Sequence, residues 1–107
     1  MFGLKKNELY PVFLKVEVLE VLIVGGGNVG LEKLTFLLKS SPSAKVTMVS
    51  KVFIPEVISL AEGYNVSLVE DAYHRTYLKG KQIVIATTDV LDVNLQVYND
   101  CKKENIL

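Results

Sequence analysis

The order of apolar and polar residues along the chain predicts strands that alternate with helices. Runs dense in valine, isoleucine and leucine, such as residues 18–24, are typical of strands buried on both faces of a sheet. Apolar residues at the spacing of one helical face, from Val29 to about Leu38, predict a helix instead. The predicted strands span residues 10–16, 18–24, 44–49, 66–69 and 82–86. Further helices are predicted at residues 54–62 and 89–103, with a helical turn within residues 74–79.

This alternation across short loops predicts an α/β fold, with parallel strands in one sheet and helices on both faces. A single Rossmann-like, doubly wound domain spanning residues 1–107 accounts for every segment. Two apolar residues, Ile106 and Leu107, follow a polar helix at the end of the sequence. They predict the opening of a further strand, and therefore a sheet that is truncated at its C-terminal end.

The composition argues against several kinds of partner and site, namely nucleic acid, a membrane, an internal disulfide and a metal ion. Twelve lysines and arginines balance twelve aspartates and glutamates, so no overall field attracts nucleic acid or an anionic membrane. No apolar run approaches the roughly 20 residues of a membrane span, and the N-terminus lacks an apolar signal core. The single cysteine, Cys101, excludes an internal disulfide and fits the reducing cytoplasm. His74 is the only histidine and has no second His or Cys at metal-ligand spacing, so no metal site is predicted.

The most informative motif is Gly25-x-Gly27-x-x-Gly30, which follows a buried strand and opens a helix. In this context the first glycine permits a tight turn, the second lets the backbone approach a pyrophosphate, and the third packs the helix closely on the sheet. The N–H groups of residues 27–30 would then face the anion. The alternative is a tight turn without a ligand, but the run of glycines through Gly26 favours a close backbone approach.

The second half of the dinucleotide fingerprint is missing. An acidic residue about 20 positions after the glycines normally bonds the ribose hydroxyls, yet none occurs between Glu32 and Glu56. Ser50, at the end of the second buried strand, offers a neutral partner for the ribose. Lys51 either tolerates a 2′-phosphate or is a solvated loop lysine, and the residues alone leave both interpretations open.

The polar segment Thr87-Thr88-Asp89 follows the predicted strand at residues 82–86. That strand is expected to lie across the topological switch point from the strand that precedes the glycines. Doubly wound sheets bind ligands at this position, which predicts cofactor contact. The same residues also suit a helix cap, with Thr88 or Asp89 accepting from the first N–H groups of the last helix. The two roles are compatible.

These segments together resemble the N-terminal domain of siroheme synthases and the related precorrin-2 dehydrogenases. The resemblance rests on YPVFLKV, GGGNVGLEKL, VSKVFIPEV, VSLVEDAY and IVIATTDVLDVN, and it runs from about Tyr10 to Leu107. It implies an NAD-dependent oxidoreductase that converts precorrin-2, a tetrapyrrole, to sirohydrochlorin in siroheme biosynthesis, with iron insertion in some members. It also implies that Asn28 and Val29 contact NAD at the glycine loop, and that Lys51 and Val52 do so at the adenosine end.

The resemblance places the catalytic aspartate, the tetrapyrrole-facing helices and the homodimer helices beyond Leu107. No catalytic residue is therefore expected within this chain. If the catalytic group does lie within the chain, Asp89 is the first candidate. A nucleotide-sensing regulatory module is the alternative function, although such modules usually carry an acid after the second strand. A third possible function is that of an α/β interaction domain that binds no ligand. The predicted cofactor contacts are Gly25, Gly26, Gly27, Asn28, Val29, Ser50, Lys51, Val52, Thr87 and Thr88.

Overall fold

A computed structural model describes residues 19–106 of the chain. Its strands are β1 (Glu20–Val24), β2 (Lys45–Ser50), β3 (Val66–Glu70) and β4 (Ile83–Ala86). Its α-helices are α1 (Asn28–Ser40), α2 (Pro55–Ala61) and α3 (Leu91–Lys103), and a 3₁₀ helix spans Arg75–Leu78. The strand predicted at residues 10–16 lies outside the described residues. Every other predicted element from residue 19 to residue 103 is present.

The strands form one parallel sheet in the order β3-β2-β1-β4. The chain therefore moves outward from β1 to β3 and then crosses back to place β4 on the other side of β1. Val24, the last residue of β1, pairs with Val49 on one side and with Ala86 on the other. The carboxyl ends of the central strands are thus level, with the topological switch point between β1 and β4. This arrangement confirms the doubly wound, Rossmann-like fold.

Two apolar clusters, one on each face of the sheet, hold the helices in place. Val21 and Ile23 point to the face covered by α1 and α2, whereas Leu22 and Val24 point to the face covered by α3 and the 3₁₀ helix. This alternation follows from the two-residue period of a strand. Each long helix contributes residues four positions apart, Leu34 with Leu38 on α1 and Val97 with Cys101 on α3, all at most 2% exposed. The sheet is therefore covered on both faces by short apolar helical stripes.

The end of α3 differs from the prediction. Asn105 adopts a left-handed conformation with φ of 57°, and the N–H of Ile106 donates to the carbonyl of Cys101 over 2.9 Å. This six-to-one hydrogen bond is that of a Schellman motif, in which an apolar residue after the helix packs back against it. Ile106 accordingly packs against the cluster that contains Cys101. No strand is formed at Ile106, whose side chain packs at the helix end instead. Leu107, the other residue of the predicted strand, lies outside the described residues.

Candidate functional site

A cleft of about 740 Å³ opens where the carboxyl ends of the strands meet. Its floor includes Val24 and Val49, the last apolar residues of β1 and β2. Its walls are formed by the loops that follow each of the four strands described above. The volume lies within the range of about 300–1,000 Å³ typical of small-molecule and cofactor sites. The position matches the crevice that doubly wound sheets use for ligands.

The structure brings every predicted cofactor contact to this one cleft. They line it from the glycine loop, the end of β2 and the end of β4: Gly25, Gly26, Gly27, Asn28, Val29, Ser50, Lys51, Val52, Thr87 and Thr88. Asp89, the reserve catalytic candidate, lines it as well. Residues that the sequence did not single out for the site complete the wall: Ile54, Asp71, Ala72, Tyr73, Val90, Val93 and Gln96.

Two glycines of the loop are required by contacts inside the protein. Gly25 has φ of +126°, and a Cβ there would lie 2.3 Å from Thr87 Oγ1. A Cβ at Gly26 would lie 2.6 Å from both Phe53 Cδ1 and the Val52 carbonyl oxygen. Gly25 thus serves the tight turn, as predicted, and Gly26 makes room for Phe53, so at both positions the close neighbours are protein atoms.

Gly27 is different, since a Cβ there would meet no atom within 4 Å. Its backbone is extended, with φ of −96° and ψ of −156°, so no strain in the chain requires glycine. At Gly30, by contrast, a Cβ would lie 2.8 Å from the Gly25 carbonyl oxygen. The three glycines of the motif thus serve a tight turn, an open approach and close helix packing, in the order that dinucleotide binding needs.

The N-terminus of α1 faces this open side without an internal anion. The first helical hydrogen bond runs from the Leu31 N–H to the Gly27 carbonyl at 2.9 Å. Gly27 provides no side-chain cap, and the first turn contains no acidic residue. The amides of residues 28–30 and the positive end of the helix dipole are therefore arranged to receive a negative group. These features fit the pyrophosphate of a dinucleotide.

The end of β2 forms one flank of the cleft. The Ser50 hydroxyl donates to the Val52 carbonyl over 2.8 Å, which fixes the turn after the strand. The hydroxyl oxygen keeps a lone pair that can accept from a ribose hydroxyl. Lys51 and Val52 are both exposed, Val52 to 73%. The turn thus presents a neutral oxygen, an ammonium group and an apolar surface.

The end of β3 adds a carboxylate that sequence reasoning missed. Asp71 directly follows β3, and its N–H donates to the Ser50 carbonyl over 3.0 Å. Its carboxylate accepts from the Ala72 N–H over 2.8 Å and from the Tyr77 hydroxyl. The hydrogen bond from Tyr77 holds the pKa of Asp71 below its ordinary value. Only the pairing of β3 with β2 reveals this position, and the sequence alone shows a polar loop.

The end of β4 is held by hydrogen bonds to its neighbours. The Thr87 N–H and hydroxyl both donate to the Val24 carbonyl, over 2.8 and 3.0 Å, which joins the loop to β1. Asn94, on α3, accepts from the Thr88 hydroxyl over 2.8 Å and donates to the Thr88 carbonyl over 2.8 Å. The loop that faces the glycines is therefore fixed from two sides.

The predicted helix cap is not formed. The N-cap residue of α3 is Val90, without a side-chain cap, and the helix begins at Leu91 rather than at Asp89. The Thr88 hydroxyl oxygen instead accepts from the N–H of Val90 itself over 3.3 Å. This bond closes a turn before the helix, and it leaves Asp89 exposed at the cleft.

The His74 side chain is 60% exposed, with Nε2 3.8 Å from an Asp71 carboxylate oxygen, and it does not line the cleft. Among residues 19–106, no three His, Cys, Asp or Glu side chains are grouped as a metal site would require. No helix in that same range is long and apolar enough to cross a membrane.

Comparison with known proteins gives consistent matches. Siroheme synthase of Pseudoalteromonas translucida is 38% identical over 96 residues, which are 90% of this chain and 20% of that protein. Siroheme synthase of Psychrobacter cryohalolentis is 34% identical over 97 residues, 91% of this chain and 18% of that protein. These matches confirm the resemblance found in the sequence. The chain spans about a fifth of the length of these relatives.

A solved structure shows the same fold. SirC, a precorrin-2 dehydrogenase, superposes with a TM-score of 0.74 at 23% identity, over 84% of this chain and 44% of that chain. The family model described as "Putative NAD(P)-binding" matches residues 12–107. A cofactor of the NAD(P) class agrees with the open Gly27 and the uncapped helix above it. The chain belongs to this NAD(P)-binding family.

Proposed function

We propose that this chain is the NAD-binding portion of an enzyme that oxidises precorrin-2 to sirohydrochlorin in siroheme biosynthesis. The observation that carries the proposal is the open approach at Gly27 beneath the uncapped N-terminus of α1. The likeness to siroheme synthases over nine-tenths of the chain supports the tetrapyrrole substrate. Bound NAD supplies the hydride acceptor of such a reaction, while the protein supplies binding and orientation.

Each wall of the cleft has a task in this proposal. The amides of residues 28–30 hold the pyrophosphate, because they lack partners within α1 and lie at the positive end of its dipole. The end of β2, with Ser50 and Lys51, receives the adenosine half, as it does in other folds of this class. Thr87 and Thr88, fixed by Val24 and Asn94, then flank the nicotinamide half.

The proton acceptor of the reaction lies, in this proposal, beyond Leu107. Support comes from the carboxylates that the cleft does contain: Asp71 is engaged by Ala72 and Tyr77 on the adenosine side. Asp89 lies on the nicotinamide side but is exposed. Neither is enclosed in the way that tunes a carboxylate for proton transfer. Residues 1–107 are accordingly proposed as one nucleotide-binding domain of a longer enzyme.

We further propose that the longer protein is a homodimer and lies in the cytoplasm. A homodimer of the longer protein is supported by the family resemblance, which places the dimer-forming helices beyond Leu107. A cytoplasmic location is supported by Cys101, a free thiol that is buried rather than paired. Sedimentation of the longer protein tests this proposal. A homodimer would sediment with twice the mass of one chain.

A turnover assay tests the proposed function. NADH absorbance is followed with anaerobically prepared precorrin-2 and NAD⁺, using the 107-residue chain and a version extended beyond Leu107. The extension has to include the catalytic aspartate that the family resemblance places beyond Leu107. We expect NADH formation from the extended version only, with binding of NAD⁺ by both. No turnover by an extended version that binds NAD⁺ would contradict the dehydrogenase. Equal rates from both would place the proton acceptor within the chain, with Asp89→Asn as the next variant.

A further inference from the structure

The adenosine side of the cleft contains a carboxylate that comes from the neighbouring strand. β2 and β3 pair in parallel with Ser50 opposite Glu70, so the residue after Glu70 lies beside the end of β2. The hydrogen bond from the Asp71 N–H to the Ser50 carbonyl, at 3.0 Å, fixes this placement. Asp71 therefore lines the same part of the cleft as Ser50 and Lys51.

The Asp71 carboxylate is oriented by its neighbours and keeps capacity to bind. It accepts from the Ala72 N–H and from the Tyr77 hydroxyl, while its side chain stays 43% exposed. A carboxylate has about four lone-pair positions, so these bonds leave room for a further donor. His74 Nε2 lies 3.8 Å from one of the Asp71 carboxylate oxygens.

The segment that carries this carboxylate is anchored to α3. The Tyr73 hydroxyl donates to the Asp100 carboxylate over 2.9 Å, and the Arg75 guanidinium donates to the Glu104 carboxylate over 2.6 Å. Burial and the bond to Asp100 raise the pKa of Tyr73, so it remains a hydrogen-bond donor at neutral pH. Asp71 is thus presented from a fixed segment rather than from a free loop.

We infer that Asp71 replaces the acidic residue missing after the second strand and sets the preference for NAD over NADP. Its carboxylate would accept from a hydroxyl of the adenosine ribose and repel a 2′-phosphate, the role usually taken by an acid on β2. Lys51 acts in the opposite sense, since its ammonium attracts a 2′-phosphate. The inference rests on the proposed function, because it assumes that the cleft binds NAD.

The test is calorimetry of NAD⁺ and NADP⁺ binding to the 107-residue chain and its variants. Asp71→Asn keeps the shape and an acceptor for the Ala72 N–H but removes the charge. Glu70→Gln is the matched control, because Glu70 is the adjacent exposed acid and does not line the cleft. We expect Asp71→Asn to weaken NAD⁺ binding about tenfold, as for one lost charge-assisted hydrogen bond, and to shift the preference away from NAD⁺ and toward NADP⁺.

Each outcome decides the inference. Asp71→Ser, which retains an oxygen beside the Ala72 N–H, serves if Asp71→Asn does not fold, and the same shift in ratio is expected. An unchanged ratio in a folded Asp71 variant, or an equal shift in Glu70→Gln, would overturn the role of Asp71 while NAD⁺ binding by the wild type stands. A wild-type chain that binds neither dinucleotide would overturn the proposed function and this inference with it.

Discussion

Valine at Gly27 separates the role of the glycine loop in binding from its role in folding. The backbone there is extended, with φ of −96° and ψ of −156°, and a Cβ would meet no atom within 4 Å. A Cβ at this position is therefore accommodated without a clash, and the backbone conformation needs no glycine. Because valine is a poorer N-cap residue than glycine, we expect a loss of stability of only about 1 kcal/mol.

The expected loss of affinity is larger. The valine methyl groups would occupy the open space between the amides of residues 28–30 and an incoming phosphate. Hydrogen bonds to a charged acceptor are worth about 1.5–3 kcal/mol each. If the valine prevents one or two of these hydrogen bonds, binding loses about 3 kcal/mol. The dissociation constant for the dinucleotide then rises roughly 100-fold.

Isothermal calorimetry with NADH measures the effect on the wild type, Gly27→Val and a matched control, Gly63→Val. Gly63 also has open space at its Cβ position, and it lies after α2, outside the cleft. We expect Gly63→Val to bind NADH as the wild type does. Unchanged affinity in a folded Gly27→Val protein would refute the assignment of this loop to the pyrophosphate.

Further predictions concern stability and ionisation. Gly26→Ala should lose about 1–3 kcal/mol in urea denaturation, because its Cβ would lie 2.6 Å from Phe53 Cδ1; wild-type stability would contradict this packing. Cys101→Ser should lose about 1–3 kcal/mol by the same assay, since it buries a hydroxyl in an apolar cluster. Tyr77→Phe should raise the pKa of Asp71 toward its ordinary value, because the hydrogen bond that lowers it is removed. NMR titration of the carboxyl measures that shift, and an unchanged midpoint would contradict the assigned cause.

Local spacing explains why so much of the fold was predictable. The glycine motif lies between a run of buried β-branched residues and a helical stripe, so its neighbours in sequence are also its neighbours in the fold. The strand order follows from the same alternation, since short right-handed crossovers leave few topologies. The predicted cofactor contacts meet in one cleft because they lie at, or soon after, the carboxyl ends of strands in the parallel sheet.

The features that sequence reasoning missed depend on contacts between distant segments. Gly26 requires its small size because Phe53 packs on it, and nothing near Gly26 in the sequence indicates this contact. Asp71 reaches the adenosine side only through the pairing of β3 with β2. The contact of Ile106 with the helix end is a further example, since apolar residues after a helix suit a strand or a helix-end contact equally well. In the structure, the left-handed Asn105 ends α3 and turns Ile106 back onto the helix.

The central claim is that the open glycine loop beneath α1 holds the pyrophosphate of NAD. Titration of the ¹⁵N-labelled chain with NAD⁺, followed by amide NMR shifts, tests it at the residues themselves. We predict saturable shifts that are largest for the amides of residues 27–30, with smaller ones at residues 50–52 and at 87–88. The absence of saturable shifts, or shifts concentrated away from the carboxyl edge of the sheet, would contradict the account.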